Sequence, residues 1–319
     1  MIIDPERSYD LIGDVHGCAH TLTRLLDQLG YTLHGDVWRH PRRQVIFLGD
    51  IIDRGPRIRE ALHLVHAMVE AGEAHCIMGN HEFNALGWHT PAPPESGKTY
   101  VRDHTPRYAM LLQQTFEQFE QYPAEWQAFL DWFLKLPLFL ECDRFRVVHA
   151  CWDNAVIDQL RQVLSHGRLD AAFLGEAAYT DRFAAKALDR LLRGTDMPLP
   201  EGLTLTSAEG FTRSFFRTKF WEENPKTYGD IVFQPDGLPE KAARLPLSPS
   251  QKSQLYLYGP DEPLLFVGHY WRSGEPAPIR DNLACLDYSA VKYGRLVAYR
   301  YDQETRIDPA KFVWVNVER

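Results

Sequence analysis

Apolar residues recur along this chain in two rhythms. Short runs dominated by apolar residues at 9–12, 45–48 and 75–78 have the length of buried strands. Between them, Leu22, Leu25, Leu26 and Leu29 repeat at helical spacing and Gly30 closes the run. Ile58, Leu62, Val65, Met68 and Val69 do the same, with Gly72 just beyond. The segment 34–41 is polar and reads as a turn. This strand–helix alternation predicts parallel strands covered by helices, with the loops at the strands' carboxyl ends open to ligands.

Residues 91–97 form an exposed connection, and helical patterns then run from about 106 to 134. Their aromatic stripe (Phe116, Phe119, Trp126, Phe129, Trp132, Phe133) is expected to be core rather than a binding platform. Runs at 138–141 and 145–148 flank Cys142-Asp143-Arg144 as a hairpin, and 155–193 reads as helical. A second hairpin is expected from 203–206 and 211–215 across the turn 207–210, followed by an irregular, proline-rich stretch at 234–263. Strands at 264–267, 283–286, 296–301 and 312–317 complete the pattern. The expected fold class is α/β: central mixed β-sheets flanked by helices in one domain over 1–319. Helical and irregular insertions at 91–140 and 155–263 are expected to shape a substrate site.

The first three runs each lead into a glycine-bounded motif: Gly13-Asp14-Val15-His16-Gly17, Gly49-Asp50-Ile51-Ile52-Asp53-Arg54-Gly55 and Gly79-Asn80-His81-Glu82. Two later runs end in His149 and in Gly268-His269. Carboxylates, imidazoles, an amide and an arginine at neighbouring strand ends suit two divalent cations beside a phosphate. A donor set without thiolate favours Mn²⁺, Fe or Zn²⁺ over Ca²⁺ or a structural zinc. Two look-alikes fail. His81-Glu82-Phe83-Asn84-Ala85 lacks the second histidine of a zinc-protease helix, and Ala92 stands where a phosphate loop ending at Lys98-Thr99 needs its first glycine.

The order and wording of these motifs resemble the phosphoprotein-phosphatase branch of the calcineurin-like metallophosphoesterases. The opening at 9–18 is similar to bacterial diadenosine tetraphosphatases, serine/threonine phosphatases and the phosphatase module of a polynucleotide kinase-phosphatase. The run Ala284-Cys285-Leu286-Asp287-Tyr288-Ser289, with 294–299, resembles the tetraphosphatases' terminal strands. The resemblance implies the metallophosphoesterase fold, with Asp14, His16 and Asp50 on a first metal. Asp50, Asn80, His149 and His269 would hold a second, most simply Mn²⁺, and Asp50 would bridge. It further implies direct attack of water activated by the metal pair, with His81 as proton donor to the leaving group. Asp53 would orient His81 and keep its pKa raised, and Arg54 would grip the phosphate together with Asn80. A second arginine belongs between the late histidines; Arg217 is taken for it over Arg213. Glu82 stands where many relatives carry Asp.

The formal charge of −8 opposes a duplex nucleic acid as partner, since phosphate neutralisation needs a basic face. Five scattered cysteines without a C-x-x-C pair read as reduced thiols. No signal peptide or apolar stretch of membrane-spanning length is recognised, so a cytoplasmic protein without a membrane partner is expected. The sequence carries no signal for oligomeric state. The leading functional expectation is a phosphomonoesterase acting on a phosphorylated substrate, a phosphoprotein or a nucleotide. The alternative is a dinucleoside polyphosphate hydrolase, with Trp88, Trp152, Tyr270 and Trp271 as base-stacking candidates. A catalytically silent metal-binding module is the remote one, opposed by the intact His81, Asp53 and Arg54.

Overall fold

Along the strand Ser8–Ile12, side chains alternate between two buried faces. A computed structural model describes residues 3–200, 203–206, 210, 212–233 and 238–318. On one face Tyr9 and Leu11 meet Ile46, Leu48, Phe145, Val147, Phe266 and Tyr299 in an apolar layer between two sheets. On the other face Ile12, with Val45 and Phe47, packs against Leu22, Leu25, Leu62 and Val65 of the helices Ala19–Gln28 and Ile58–Glu70. Burial on both faces explains why these strands read as continuous apolar runs.

The first sheet has six strands: Asp287–Tyr288, Arg295–Tyr301, Ser8–Ile12, Arg43–Phe47 and Ala74–Cys76 in spatial order, with Phe312–Asn316 paired to Arg295–Tyr301. The three motif-bearing strands are parallel, as the alternation predicts, and Arg295–Tyr301 is antiparallel to Ser8–Ile12. In the second sheet Leu283–Cys285, Leu264–Val267 and Phe145–Val148 run parallel, and Phe139–Glu141 closes the expected hairpin. Its outer face packs on helices Asn154–Val163 and Phe183–Arg193 through Ile157, Leu160, Leu188 and Leu191. The architecture is therefore helix, sheet, sheet, helix, with mixed sheets at the centre.

Asp10 interrupts the apolar pattern. It is fully buried on the helix side, where its carboxylate accepts hydrogen bonds from Arg43 Nε at 3.0 Å, Arg300 Nε at 3.1 Å and Tyr31 Oη at 3.0 Å. One buried anion thus ties three neighbouring strands to the end of the first helix.

Several segments differ from expectation. The polar turn at 34–41 lies partly in a small hairpin, the exposed Thr32–His34 with the partly buried Val37–Arg39, too short for its alternation to register. The 106–134 pattern is two helices, Pro106–Phe119 and Pro123–Phe133, the second opened by Pro123 at its first turn. Its aromatic stripe is core, with Phe116 partly buried. The 155–193 segment divides into Asn154–Val163, Ala171–Glu176 and Phe183–Arg193. The second hairpin pairs Leu205–Thr206 with Thr212–Arg213, and its turn at 207–209 lies outside the described residues, as does 234–237. The rest of the irregular stretch carries short helices at Glu240–Ala243 and Pro249–Gln254. Met197, Leu199, Phe216, Tyr228 and Ile231 give this region a small apolar cluster of its own.

Candidate metal centre

Five loops, each leaving the carboxyl end of a strand, converge on one place. Asp14 and His16 follow Ser8–Ile12; Asp50, Asp53 and Arg54 follow Arg43–Phe47; Asn80 and His81 open the helix Asn80–His89 behind Ala74–Cys76. His149 follows Phe145–Val148 and His269 follows Leu264–Val267. Turning these side chains back over the strand ends needs tight reversals. His16, Asp50, Asp53, Arg54 and His269 have positive φ, half of the ten non-glycine residues that do so among the described residues. Such conformations cost about 1–3 kcal/mol each and persist where surrounding contacts over-determine them. At Gly268 the approach is so close that a Cβ would lie 2.1 Å from Asp14 Oδ1.

Glu82 supplies much of that over-determination. Its buried carboxylate accepts the backbone N–H groups of Asp50 and Ile51 at 2.8 Å and of Gly79 at 3.0 Å, locking two motif loops together. The Asp50 side chain is held in turn by the His81 N–H, 2.9 Å from Oδ1. Its Oδ2 lies 3.3 Å from His149 Nε2, 3.7 Å from His16 Nε2 and 3.9 Å from His81 Nε2. Candidate ligand atoms of His16, Asp50 and His81 lie within 4.8 Å of one another, and so do those of Asp50, His149 and His269. The clusters share Asp50, which makes a dinuclear metal-binding site. Asn80 Oδ1 joins the second cluster, 3.1 Å from His149 Nε2 and 2.7 Å from His269 Nδ1.

The donor atoms fit cations. His16 Nδ1 faces the Ile52 carbonyl at 2.8 Å and His149 Nδ1 the Leu48 carbonyl at 2.7 Å, so each directs Nε2 at Asp50. Orientation by a backbone carbonyl is the usual support of a metal-binding imidazole. The Nε2 atoms of His16 and His269 are buried without a hydrogen-bond partner. Charges tell the same story. Burial, and then the Asp287 charge, push Asp14 well above the usual carboxylate range. Burial alone would depress His149, but the facing Asp50 and Asp14 raise it to about 10. A proton on His149 supplies the positive charge that these carboxylates call for.

Asp14 belongs to neither three-residue cluster but adjoins the second, accepting the His269 N–H at 3.2 Å. His81 stands beside His16 and Asp50 in the first cluster. The His81–Asp53 contact is present, Nδ1 to Oδ2 at 2.5 Å, but the expected rise in the His81 pKa is not. Burial, with Arg54, His149 and Arg193 nearby, lowers His81 to about 3, whereas burial raises Asp53 to about 8. Burial thus disfavours charge on both members of the pair, and the short contact lets them share a proton. Arg54 lies over the Trp271 ring, 5.2 Å from its centroid. Arg217 is half-buried, and after burial itself its charge is the strongest influence depressing His269.

Of the base-stacking candidates, Trp152 and Tyr270 are wholly buried. Trp88 is stacked on His104 at 3.7 Å, which leaves Trp271 beside the site. Three residues without a motif prove part of the surroundings. Thr115, from the helix Pro106–Phe119, donates its hydroxyl to Asp53 and accepts the Asp53 N–H at 3.1 Å. Arg193 influences both His81 and His269. Asp287 is buried with Oδ2 unpartnered and acts on Asp14; the run 284–289 was its only trace in the sequence.

Comparison with known proteins places these features. The profile described as "Calcineurin-like phosphoesterase" matches residues 9–270. The asymmetrical bis(5'-nucleosyl)-tetraphosphatase PrpE of Oceanobacillus iheyensis is 45% identical over 73 residues, covering 23% of this chain and 29% of that protein. PrpE of Bacillus subtilis is 40% identical over 75 residues, 23% of this chain and 31% of that protein. The match thus spans less than a third of these relatives' length. A protein serine/threonine phosphatase of Saccharomyces cerevisiae, described as similar to human PP5, superposes with a TM-score of 0.50 at 13% identity. That superposition covers 99% of this chain and 81% of the other and shows a shared fold.

Proposed function

This chain belongs to the calcineurin-like phosphoesterases, and from that premise we propose that it is a metal-dependent phosphoesterase whose basic substrate is a phosphomonoester. The observation that carries this reading is Asp50, one buried carboxylate shared by two histidine clusters with His81 beside it. Asp14, His16 and Asp50 would hold one cation, and Asp50, Asn80, His149 and His269 the other. Mn²⁺ suits this nitrogen and oxygen donor set best, with Fe or Zn²⁺ as alternatives. When bound, such a pair offsets the substrate's charge and makes water nucleophilic near neutral pH.

The chain's own residues supply the rest. Arg54 and Arg217 grip the non-bridging phosphate oxygens, for which a guanidinium fork is better suited than an ammonium. Below about pH 8 the Asp53 carboxyl keeps its proton and donates it to His81 Nδ1. That fixes the tautomer with a proton on Nε2, the nitrogen that faces the centre. As His81 gives this proton to the leaving oxygen, the Asp53 proton passes to Nδ1, so no isolated buried charge forms on the ring. Thr115 holds Asp53 in register for the transfer. We read 1–319 as one domain, with the 91–140 and 155–263 segments walling the site. A cytoplasmic setting is supported by the five buried free cysteines.

A second reading, hydrolysis of dinucleoside polyphosphates, is favoured by the local identity to tetraphosphatases and by Trp271 beside the centre. Hydrolysis with Mn²⁺ of a phosphoserine peptide, diadenosine tetraphosphate, a nucleoside monophosphate and p-nitrophenyl phosphate, scored by product, separates the two. Monoesters leading in kcat/KM supports the first reading. A lead of orders of magnitude for the dinucleotide supports the second. Inertness toward all four with metals bound would contradict both.

A further inference from the structure

We propose that Arg193 is a specificity-determining residue that binds a second phosphoryl group of the substrate, beyond the one that reacts; this rests on the phosphoesterase reading above. Arg193 is the last residue of the helix Phe183–Arg193, and that helix end is fastened to both late histidine loops. The Ala150 N–H, next to His149, donates to the Leu191 carbonyl at 2.8 Å. Gly194, at φ 87°, lies so close to the residue after His269 that a Cβ would stand 2.1 Å from Tyr270 Oη. The sequence therefore has little freedom in where it delivers this guanidinium.

Its hydrogen-bond partners are neutral. Nη2 donates to Asn84 Oδ1 at 3.0 Å and to Tyr108 Oη at 3.2 Å. Asn84 lies one helical turn beyond Asn80, on the same face of the same helix. The nearest carboxylate is the half-exposed Asp189 at 3.7 Å, an ion pair beyond hydrogen-bond distance. Other arginines here are used differently: Arg43 is spent on Asp10 and Asp302, and Arg146 on Glu141 and Glu262. The Arg193 side chain keeps 27% of its surface accessible, which leaves it an open edge. A reacting phosphoryl group carries two negative charges, and in the reading above Arg54 and Arg217 would already answer them. A third guanidinium is surplus unless the substrate brings another anion, and a neighbouring phosphoryl group is the anion this geometry suits.

The test uses two non-hydrolysable probes, methylphosphonate and methylenediphosphonate, titrated calorimetrically into the Mn²⁺-loaded protein at one fixed free Mn²⁺ concentration. The wild type should prefer the diphosphonate by about 10- to 100-fold, the worth of one charge-assisted contact. Arg193→Met should erase that preference and Arg193→Lys restore part of it. Tyr108→Phe, which loosens the guanidinium while keeping the ring, should reduce it and serves if the Met variant does not fold. An unchanged preference in Arg193→Met, no preference in the wild type, or equal losses for both probes would overturn the proposal. Binding requires no turnover. A wild type that prefers the diphosphonate through Arg193 yet hydrolyses none of the four substrates above would support the subsite and contradict the phosphoesterase reading.

Discussion

In the proposed mechanism Asp53 and His81 hold two exchangeable protons between them, one in the 2.5 Å contact and one on His81 Nε2. The pair is raised in proton affinity at Asp53, so it donates below about pH 8 and loses a proton as the pH rises through that value. Turnover of a substrate with a poor leaving group should accordingly decline above about pH 8, and in His81→Ala that limb should vanish. The same variant should retain its metals while kcat falls by about 10²–10⁴, the range for a lost general acid. Metal analysis beside a pH–rate profile checks both; a fully active His81→Ala on an alkyl phosphate would remove the assignment. Asp14, Asp50, Asn80, His81, His149 and His269 could be picked out because a strand end and a short motif mark each. Arg193, Thr115 and Asp287 could not, because folding alone brings them in from distant segments that carry no motif. Glu82 was visible but looked neutral, since its task is to collect backbone N–H groups, which no residue pattern announces.

At the scale of elements, the helix Pro106–Phe119 reaches into the site through Thr115, which serves both the Asp53 N–H and its carboxyl. Thr115→Val removes that support at nearly constant volume and should lower kcat by about 10- to 100-fold, the usual effect of losing an outer-shell partner. Metal content should be unchanged, and a parallel loss of metal would mean the helix supports the whole centre instead. The strand Ser8–Ile12 depends on Asp10 in the same way. Asp10→Ala leaves the buried Arg43 without one of its two carboxylates and should cost about 3–5 kcal/mol in urea unfolding. A loss below about 1 kcal/mol would show that Asp302 and water suffice. Parallel strands were legible because both faces are buried and the runs are continuous. The Thr32–Arg39 hairpin and the divisions of the long helical stretches were not, since three-residue strands and proline starts leave the apolar count almost unchanged.

For the whole molecule, a chain of formal charge −8 concentrates Arg54, Arg193 and Arg217 around one buried carboxylate centre. Among the described residues no helix is long and apolar enough to cross a membrane. Without cations the centre retains protons, with His149 raised to about 10 and Asp287 to about 6. A histidine must be neutral to bind a metal, so loading should release protons and affinity should rise with pH from about 6 to about 10. Calorimetry in two buffers of different ionisation enthalpy reads that release, and a buffer-independent heat would contradict it. The 155–263 segment, proposed above to wall the site, carries a small apolar cluster and short helices that follow no motif. The central claim is that two cations share Asp50. Metal content by mass spectrometry, measured with activity on wild type and Asp50→Asn, tests it most directly. Two ions per chain in the wild type, with metal and turnover lost together in the variant, is the expected result; an Asp50→Asn protein that is fully loaded and active would contradict it.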